Sequence, residues 1–329
     1  MHWPSLVERL GGWSHLESVS SGELCEAGVA REMALQWCRP AEVRSRGTIL
    51  TVQDERYPAV LREVVGAPPL LFVEGDLPCL NRRCVAVVGT RSCTGYGASL
   101  ARRLGHGLAS GGIVVVSGLA RGIDGHAHRG ALEMGATVAV LGHGLGHTSP
   151  SSHRGLRADI CRHGGAVVSS WKDDVPPRRY TFPRRNRWIA GMSEATVVVE
   201  APLPSGALYT AEASLEMGRD TFAVPGSPNQ ETSRGCNRLI RDTPTLVLDD
   251  VDGFVMMRTG MLPPDREVWL RRLFEGEAVE KIARSRGIST VELLGEIAVM
   301  EAYGRVVRLP GQRYVPGGGG PSPRPASFE

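Results

Sequence analysis

Lysine is nearly absent from this chain of 329 residues. Of its 38 basic side chains only Lys172 and Lys281 are lysines, and the rest are arginines. The skew reads first as a coding bias of the source, although a planar guanidinium also suits bidentate phosphate contacts. Acidic side chains number 35, so the formal net charge is +3. That near-neutrality excludes a histone-like polycation but leaves room for a local basic patch. No run of about 18 apolar residues occurs, which excludes a membrane-spanning helix and membrane insertion. The chain begins Met1-His2-Trp3-Pro4, with Glu8 soon after, and shows neither the basic nor the apolar region of a secretory signal. No C-x-x-C joins any of the seven cysteines, Cys25, Cys38, Cys79, Cys84, Cys93, Cys161 and Cys236. A zinc knuckle and a thioredoxin motif are thereby excluded, and reduced thiols in a cytoplasmic protein are expected. H-E-x-x-H and G-x-S-x-G are missing too. The histidines His126, His128, His143, His147, His153 and His163 cluster, but Gly142, Gly144 and Gly146 disfavour a helix that would align them. No metal, cofactor or catalytic group is expected.

What is present is a core. Hydrophobic residues make up 42%, and the length suggests roughly two domains. From Cys84 onward apolar runs recur: Val85–Val88, Ile113–Val116, Val138–Leu141, Ala166–Val168, Val197–Val199, Phe222–Val224 and Leu246–Leu248. Continuous β-branched runs mark strands buried on both faces. Helical stretches such as Ala98–Ala109, Ala127–Met134 and Ala207–Met217 fill the gaps, which predicts a doubly wound, mostly parallel α/β sheet. A further strand is expected after Pro68-Pro69. Past Pro263-Pro264, three helices (Glu267–Phe274, Ala278–Arg286, Val291–Tyr303) and a hairpin turning at Pro310-Gly311 make a small winged-helix-like module, with Ser289 or Thr290 placed to cap the third helix. The expected layout is a short helical segment over 1–45, a sheet domain over 46–258, the module over 265–316 and a disordered tail over 317–329.

Open parallel sheets bind ligands beyond the carboxyl ends of their strands. The loop Gly89-Thr90-Arg91-Ser92-Cys93-Thr94-Gly95 can cradle a phosphate with backbone N–H groups. It is neither a G-x-G-x-x-G fingerprint nor a Walker A loop, and a plain tight turn remains open. The next strand ends in Ser117-Gly118, and Arg121 follows among glycines, with Asp124 as a possible helix cap. Read as a loop, Arg178–Arg187 holds five arginines with Tyr180 and Phe182 and no acid. Arginine serves phosphates and aromatic rings stack on bases, the pairing that single-stranded nucleic acid needs. The alternative is that some of these arginines pair with Asp173 and Asp174. Glu200, at a strand end, reads as a carboxylate neutralised by a neighbouring arginine.

Several stretches together resemble the DprA (Smf) family of bacterial DNA-processing proteins. They are Tyr57-Pro58, Val85–Arg91 with Tyr96-Gly97, Val116–Asp124, His128–Leu132, Phe182–Gly191, Ser205–Ala207 with Thr210-Ala211, and Val224–Ser227 through Ser233–Ile240. The resemblance spans about residues 57–250. It implies an extended Rossmann-like sheet, with the C-terminal module similar to the family's winged helix and residues 1–45 a shortened form of its N-terminal SAM or helix-hairpin-helix domain. It implies a non-enzymatic protein of natural transformation and recombination that binds and protects single-stranded DNA. Partners implied are the RecA recombinase, whose loading it helps, single-strand-binding protein, which it displaces, and a second copy in a homodimer. The implied DNA-binding residues are Gly89, Arg91, Ser117, Gly118, Arg121, Arg179, Phe182, Arg185 and Asn186, with Arg179 standing where many members carry lysine. The competing reading is a nucleoside monophosphate phosphoribohydrolase of the lysine-decarboxylase-like family. The segment Pro204–Glu212 lacks the second and third glycines which that activity requires.

Overall fold

The computed structural model describes residues 20–29, 45–260, 264–302, 304–311 and 313–317. Most of the helical segment expected over 1–45, and the tail beyond 317, lie outside them. Within 20–29 a short helix, Ser21–Glu26, is closed by a reciprocal cap: Ser20 Oγ accepts from Glu23 N, and the Glu23 carboxylate accepts from Ser20 N. The chain divides into two compact units, Met1–Val251 and Asp252–Glu329.

The first unit is built on a nine-stranded sheet. In chain order its strands are β1 (Thr48–Thr51), β2 (Leu70–Gly75), β3 (Cys84–Val88), β4 (Val114–Ser117), β5 (Thr137–Leu141), β6 (Ala166–Ser169), β7 (Ala195–Val198), β8 (Asp220–Ala223) and β9 (Leu246–Val247). Their spatial order is β1-β2-β6-β5-β4-β3-β7-β8-β9, with the β1–β2 and β2–β6 pairings antiparallel and the other pairings parallel. Successive strand residues go to opposite cores. Ala86, Val88, Val138, Val140 and Val168 join Tyr57, Leu61, Trp188 and Ile189. Ala139, Leu141 and Val167 join Leu156 and Ile160. Both faces are apolar because both are covered, which is why the strands read as unbroken hydrophobic runs.

Six longer helices cover the faces: α1 (Gly95–Ser110), α2 (Ile123–Leu132), α3 (Arg154–Arg162), α4 (Thr181–Gly191), α5 (Gly206–Glu216) and α6 (Arg234–Asp242). The chain leaves β3 toward β4, β5 and β6, then returns to the other side of β3 as β7. The crevice beyond β3 and β7 is therefore the point where the winding reverses, and such points hold ligands.

One expectation is corrected here. Arg178–Arg187 is not a loop throughout, because α4 begins at Thr181. Pro183 falls in the first turn, where a missing N–H costs nothing. Thr181, Arg185, Trp188 and Ile189 are buried along one helical face. Helical periodicity thus sends neighbouring arginines in different directions.

In the second unit, α7 (Val251–Thr259, whose first residue belongs to the first unit) is followed by α8 (Pro264–Phe274), α9 (Val279–Arg286) and α10 (Thr290–Ala302). The hairpin is β10 (Val306–Leu309) paired with β11 (Arg313–Pro316). Met256, Trp269, Leu270, Ile282, Leu293 and Ile297 share one core. Ser289 caps α10: its hydroxyl accepts from Glu292 N at 3.2 Å, and Glu292 accepts from Ser289 N at 2.8 Å. No helix among the described residues is long and apolar enough to cross a membrane.

Candidate nucleic-acid interface

Two loops are tied together at the reversal point. Thr90 N, just past β3, donates to Glu200 O at 2.7 Å, just past β7. Thr94 caps α1 by accepting from Gly97 N. Glu200 then braces that cap: its carboxylate accepts from Thr94 N at 2.9 Å and from the Thr94 hydroxyl at 2.6 Å. The expected arginine partner is therefore replaced by a helix N-terminus, whose unpaired N–H groups and dipole favour a carboxylate.

The loops after β3, β4 and β7, with α4 and the start of α5, enclose an open cleft of about 460 Å³. Six of the nine expected residues line it: Gly89, Arg91, Arg179, Phe182, Arg185 and Asn186. They have different jobs. Arg91 and Arg179 are exposed. The Arg91 guanidinium lies 5.3 Å from the Phe182 ring centre, and neither arginine has an acidic partner among the described residues. The half-buried Phe182 ring lies against Gly142, where a Cβ would sit 2.8 Å from a ring carbon.

Arg185 is 4% exposed. Its Nη1 donates to Gly118 O at 2.7 Å and Val140 O at 2.5 Å, and its Nε donates to Asn186 Oδ1 at 3.1 Å. Burial lowers its pKa to about 10, against the opposing pull of Asp124. Asp124 is buried beside it and accepts from Gly118 N and Ala120 N; burial pushes its carboxyl upward in spite of Arg185. Asn186 bridges α4 to α5, its Nδ2 donating to Gly206 O at 2.9 Å.

Ser117, Gly118 and Arg121 do not line the cleft. Ser117 is 0% exposed and its hydroxyl donates to Val87 O. Gly118 is buried so tightly that a Cβ would sit 2.8 Å from the Arg185 guanidinium carbon. Both brace the wall from behind. Arg121 is exposed on the same loop, without a hydrogen bond or ion pair among the described residues. That loop contains Leu119, fully buried at φ +57, a strained conformation for a branched side chain. His153 Nδ1 donates to the Leu119 carbonyl at 3.0 Å and helps to hold it.

The remaining arginines of the run are spoken for in part. Arg187 pairs with Glu216 at 2.8 Å, and Arg184 lies 5.8 Å from the centre of the Trp171 ring. Asp173 instead accepts from Ser45 Oγ and Arg46 N, so it does not neutralise the run. Sequence reasoning missed Tyr209, which is 56% exposed and lines the cleft with Thr90, Pro202 and Ser205. The stretch after β7 was read for Glu200, for Ser205–Ala207 with Thr210-Ala211 and for its missing glycines, and no sequence signal tied Tyr209 to the arginines opposite.

Comparison with known proteins bears on this geometry. Residues 48–257 match the family model described as DNA recombination-mediator protein A. Protein Smf of Escherichia coli is 37% identical over 283 residues, covering 80% of this chain and 76% of that one. The DNA processing protein DprA of Streptococcus pneumoniae is 41% identical over 203 residues, covering 61% and 71%. The X-ray structure of the S. pneumoniae protein aligns with a TM-score of 0.67 at 32% identity, over 77% of this chain and 92% of that one. A DNA processing protein A structure from Helicobacter pylori, described by its single-stranded DNA binding mode, aligns at 0.59 and 25% identity, over 65% and 97%.

Proposed function

Because this chain belongs to the DNA recombination-mediator protein A family, we propose that its cleft binds single-stranded DNA in recombination and natural transformation. The observation that carries this reading is the Arg91–Phe182 pair at the mouth of the cleft. An unpaired cation there meets a phosphate, and an aromatic ring beside it meets a base. Gly89, Arg91, Arg121, Arg179, Phe182 and Asn186 are proposed to contact the strand. Ser117, Gly118 and Arg185 are proposed to hold the wall rigid, since their polar groups already serve the protein.

The protein acts as a binder and not as an enzyme in this proposal. The carboxylate lining the cleft, Asp124, is held by two backbone N–H groups beside a buried guanidinium, an arrangement for support rather than proton transfer. We further propose that it protects incoming strands, displaces single-strand-binding protein and helps load RecA in the cytoplasm, as a homodimer joined through the sheet domain. The domain layout proposed is the N-terminal segment over 1–45, the DNA-binding sheet domain over 46–258, and the winged-helix-like module over 265–316 with its tail. Binding to labelled single-stranded and duplex oligonucleotides of equal length at moderate salt tests the function. The single strand is expected to bind more tightly, because a duplex hides its base faces; equal affinities would leave only a basic patch.

A further inference from the structure

We infer that a second cavity, beside the main cleft, takes one unpaired base of the same strand, with Tyr96 as its stacking platform. This rests on the single-strand reading above and extends it. The cavity holds about 240 Å³ and is lined by Tyr96, Glu200, Gly226, Ser227, Gln230 and Ser233, among others. That is room for about eight waters, enough for one nucleobase. It lies beyond β7 and β8, on the far side of the Thr90–Glu200 bridge from the main cleft. Neighbouring strands are about 4.8 Å apart, so a short step along an extended strand connects the two.

The chemistry of the lining selects a base over a phosphate. No arginine or lysine is among its described lining residues, and one of them is Glu200, whose negative charge would repel an anion. Each Glu200 oxygen accepts one bond from Thr94, leaving lone pairs for the amine or imino hydrogens of a base edge. The Ser233 hydroxyl makes no hydrogen bond to any described residue. That hydroxyl can therefore both donate to and accept from a base edge. Gln230 adds an amide that both donates and accepts. Tyr96 is 62% exposed with no polar partner among the described residues, so its ring is available to a base.

The test is a single-stranded oligonucleotide series carrying 2-aminopurine at successive positions, bound to the full chain as wild type, Tyr96→Ala and Tyr96→Phe. Stacking quenches this fluorophore. Wild type is expected to quench it at one position beyond those affected by Phe182→Ala. Tyr96→Ala should abolish that quenching and weaken binding by roughly 5- to 150-fold, the span of one aromatic stack, while Tyr96→Phe retains both. Tyr96 is exposed, so circular dichroism should show Tyr96→Ala folded. If Arg91→Ala weakens binding but Tyr96→Ala leaves affinity and every quenched position unchanged, the second subsite is overturned and the first stands. Quenching of the free 2-aminopurine nucleotide but of no position within the strand also overturns it. Absence of single-strand binding by wild type removes both readings.

Discussion

Replacing Arg185 with methionine separates a wall residue from a strand contact. The substitution keeps an unbranched apolar stem and deletes the guanidinium. Gly118 O and Val140 O then lose donors that reach them at 2.7 and 2.5 Å, and Asp124 is left buried without its neighbouring cation. Hydrogen bonds from a charged group are worth about 1.5–3 kcal/mol each, and breaking a buried charge pair costs about 3–5 kcal/mol. These overlap, so the larger range stands for the total. For a domain of this size each kcal/mol shifts Tm by about 2–4 °C, which makes the expected drop about 6–20 °C. Adding Asp124→Asn should recover part of it, because the stranded charge goes and contacting residues couple by about 0.5–3 kcal/mol. Urea titration with an unchanged slope measures this directly. If Arg185→Met kept full stability and lost single-strand affinity at room temperature, Arg185 would be a DNA contact and the buried geometry would have been misjudged.

Other outcomes follow from the same geometry. His128 is fully buried with its Nδ1 against the Thr137 hydroxyl at 2.7 Å, and burial lowers its pKa from 6.5 to about 3. The folded state therefore binds fewer protons than the unfolded one below pH 6.5, and stability is lost as pH falls from 6.5 toward 3, by roughly 5 kcal/mol in total from this group; urea midpoints against pH should show a shallower acid limb in His128→Leu. A chain ending at Val251 omits the second unit, whose core already takes Met256. Its circular dichroism should show a folded protein, and its single-strand affinity should fall within about tenfold of the full chain, or 1.4 kcal/mol.

The parallel strands were legible because burial on both faces leaves a run such as Val85–Val88 with no polar break. The capped third helix of the C-terminal module was legible through Ser289 and Thr290 at its start; the structure gives the cap to Ser289, with Glu292 closing a capping box that the sequence reading left out. Strand β1 was not, since Thr48–Thr51 is four residues long and mixed in polarity. Helix α4 was hidden by Pro183 and by arginine density, which imitate a basic loop. The candidate site was legible as residue types and loops. The division of labour inside it was not, because Arg91 and Arg185 look alike in sequence. Only the fold sends one outward to Phe182 and the other inward to the carbonyls of Gly118, just past β4, and Val140 in β5. The partner of Glu200 was equally hidden, since Thr94 lies 106 residues away.

The central claim is that one cleft binds an unpaired strand through a phosphate contact at Arg91 and a base contact at Phe182. Salt titration of single-strand affinity for wild type, Arg91→Ala and Phe182→Ala tests it most directly. Arg91→Ala should reduce the log–log salt slope by about 0.7, the value of one phosphate contact on a single strand. Phe182→Ala should leave the slope nearly intact and weaken binding by about 1–3 kcal/mol. Identical slopes for the two variants, or wild-type affinity in both, would contradict the claim.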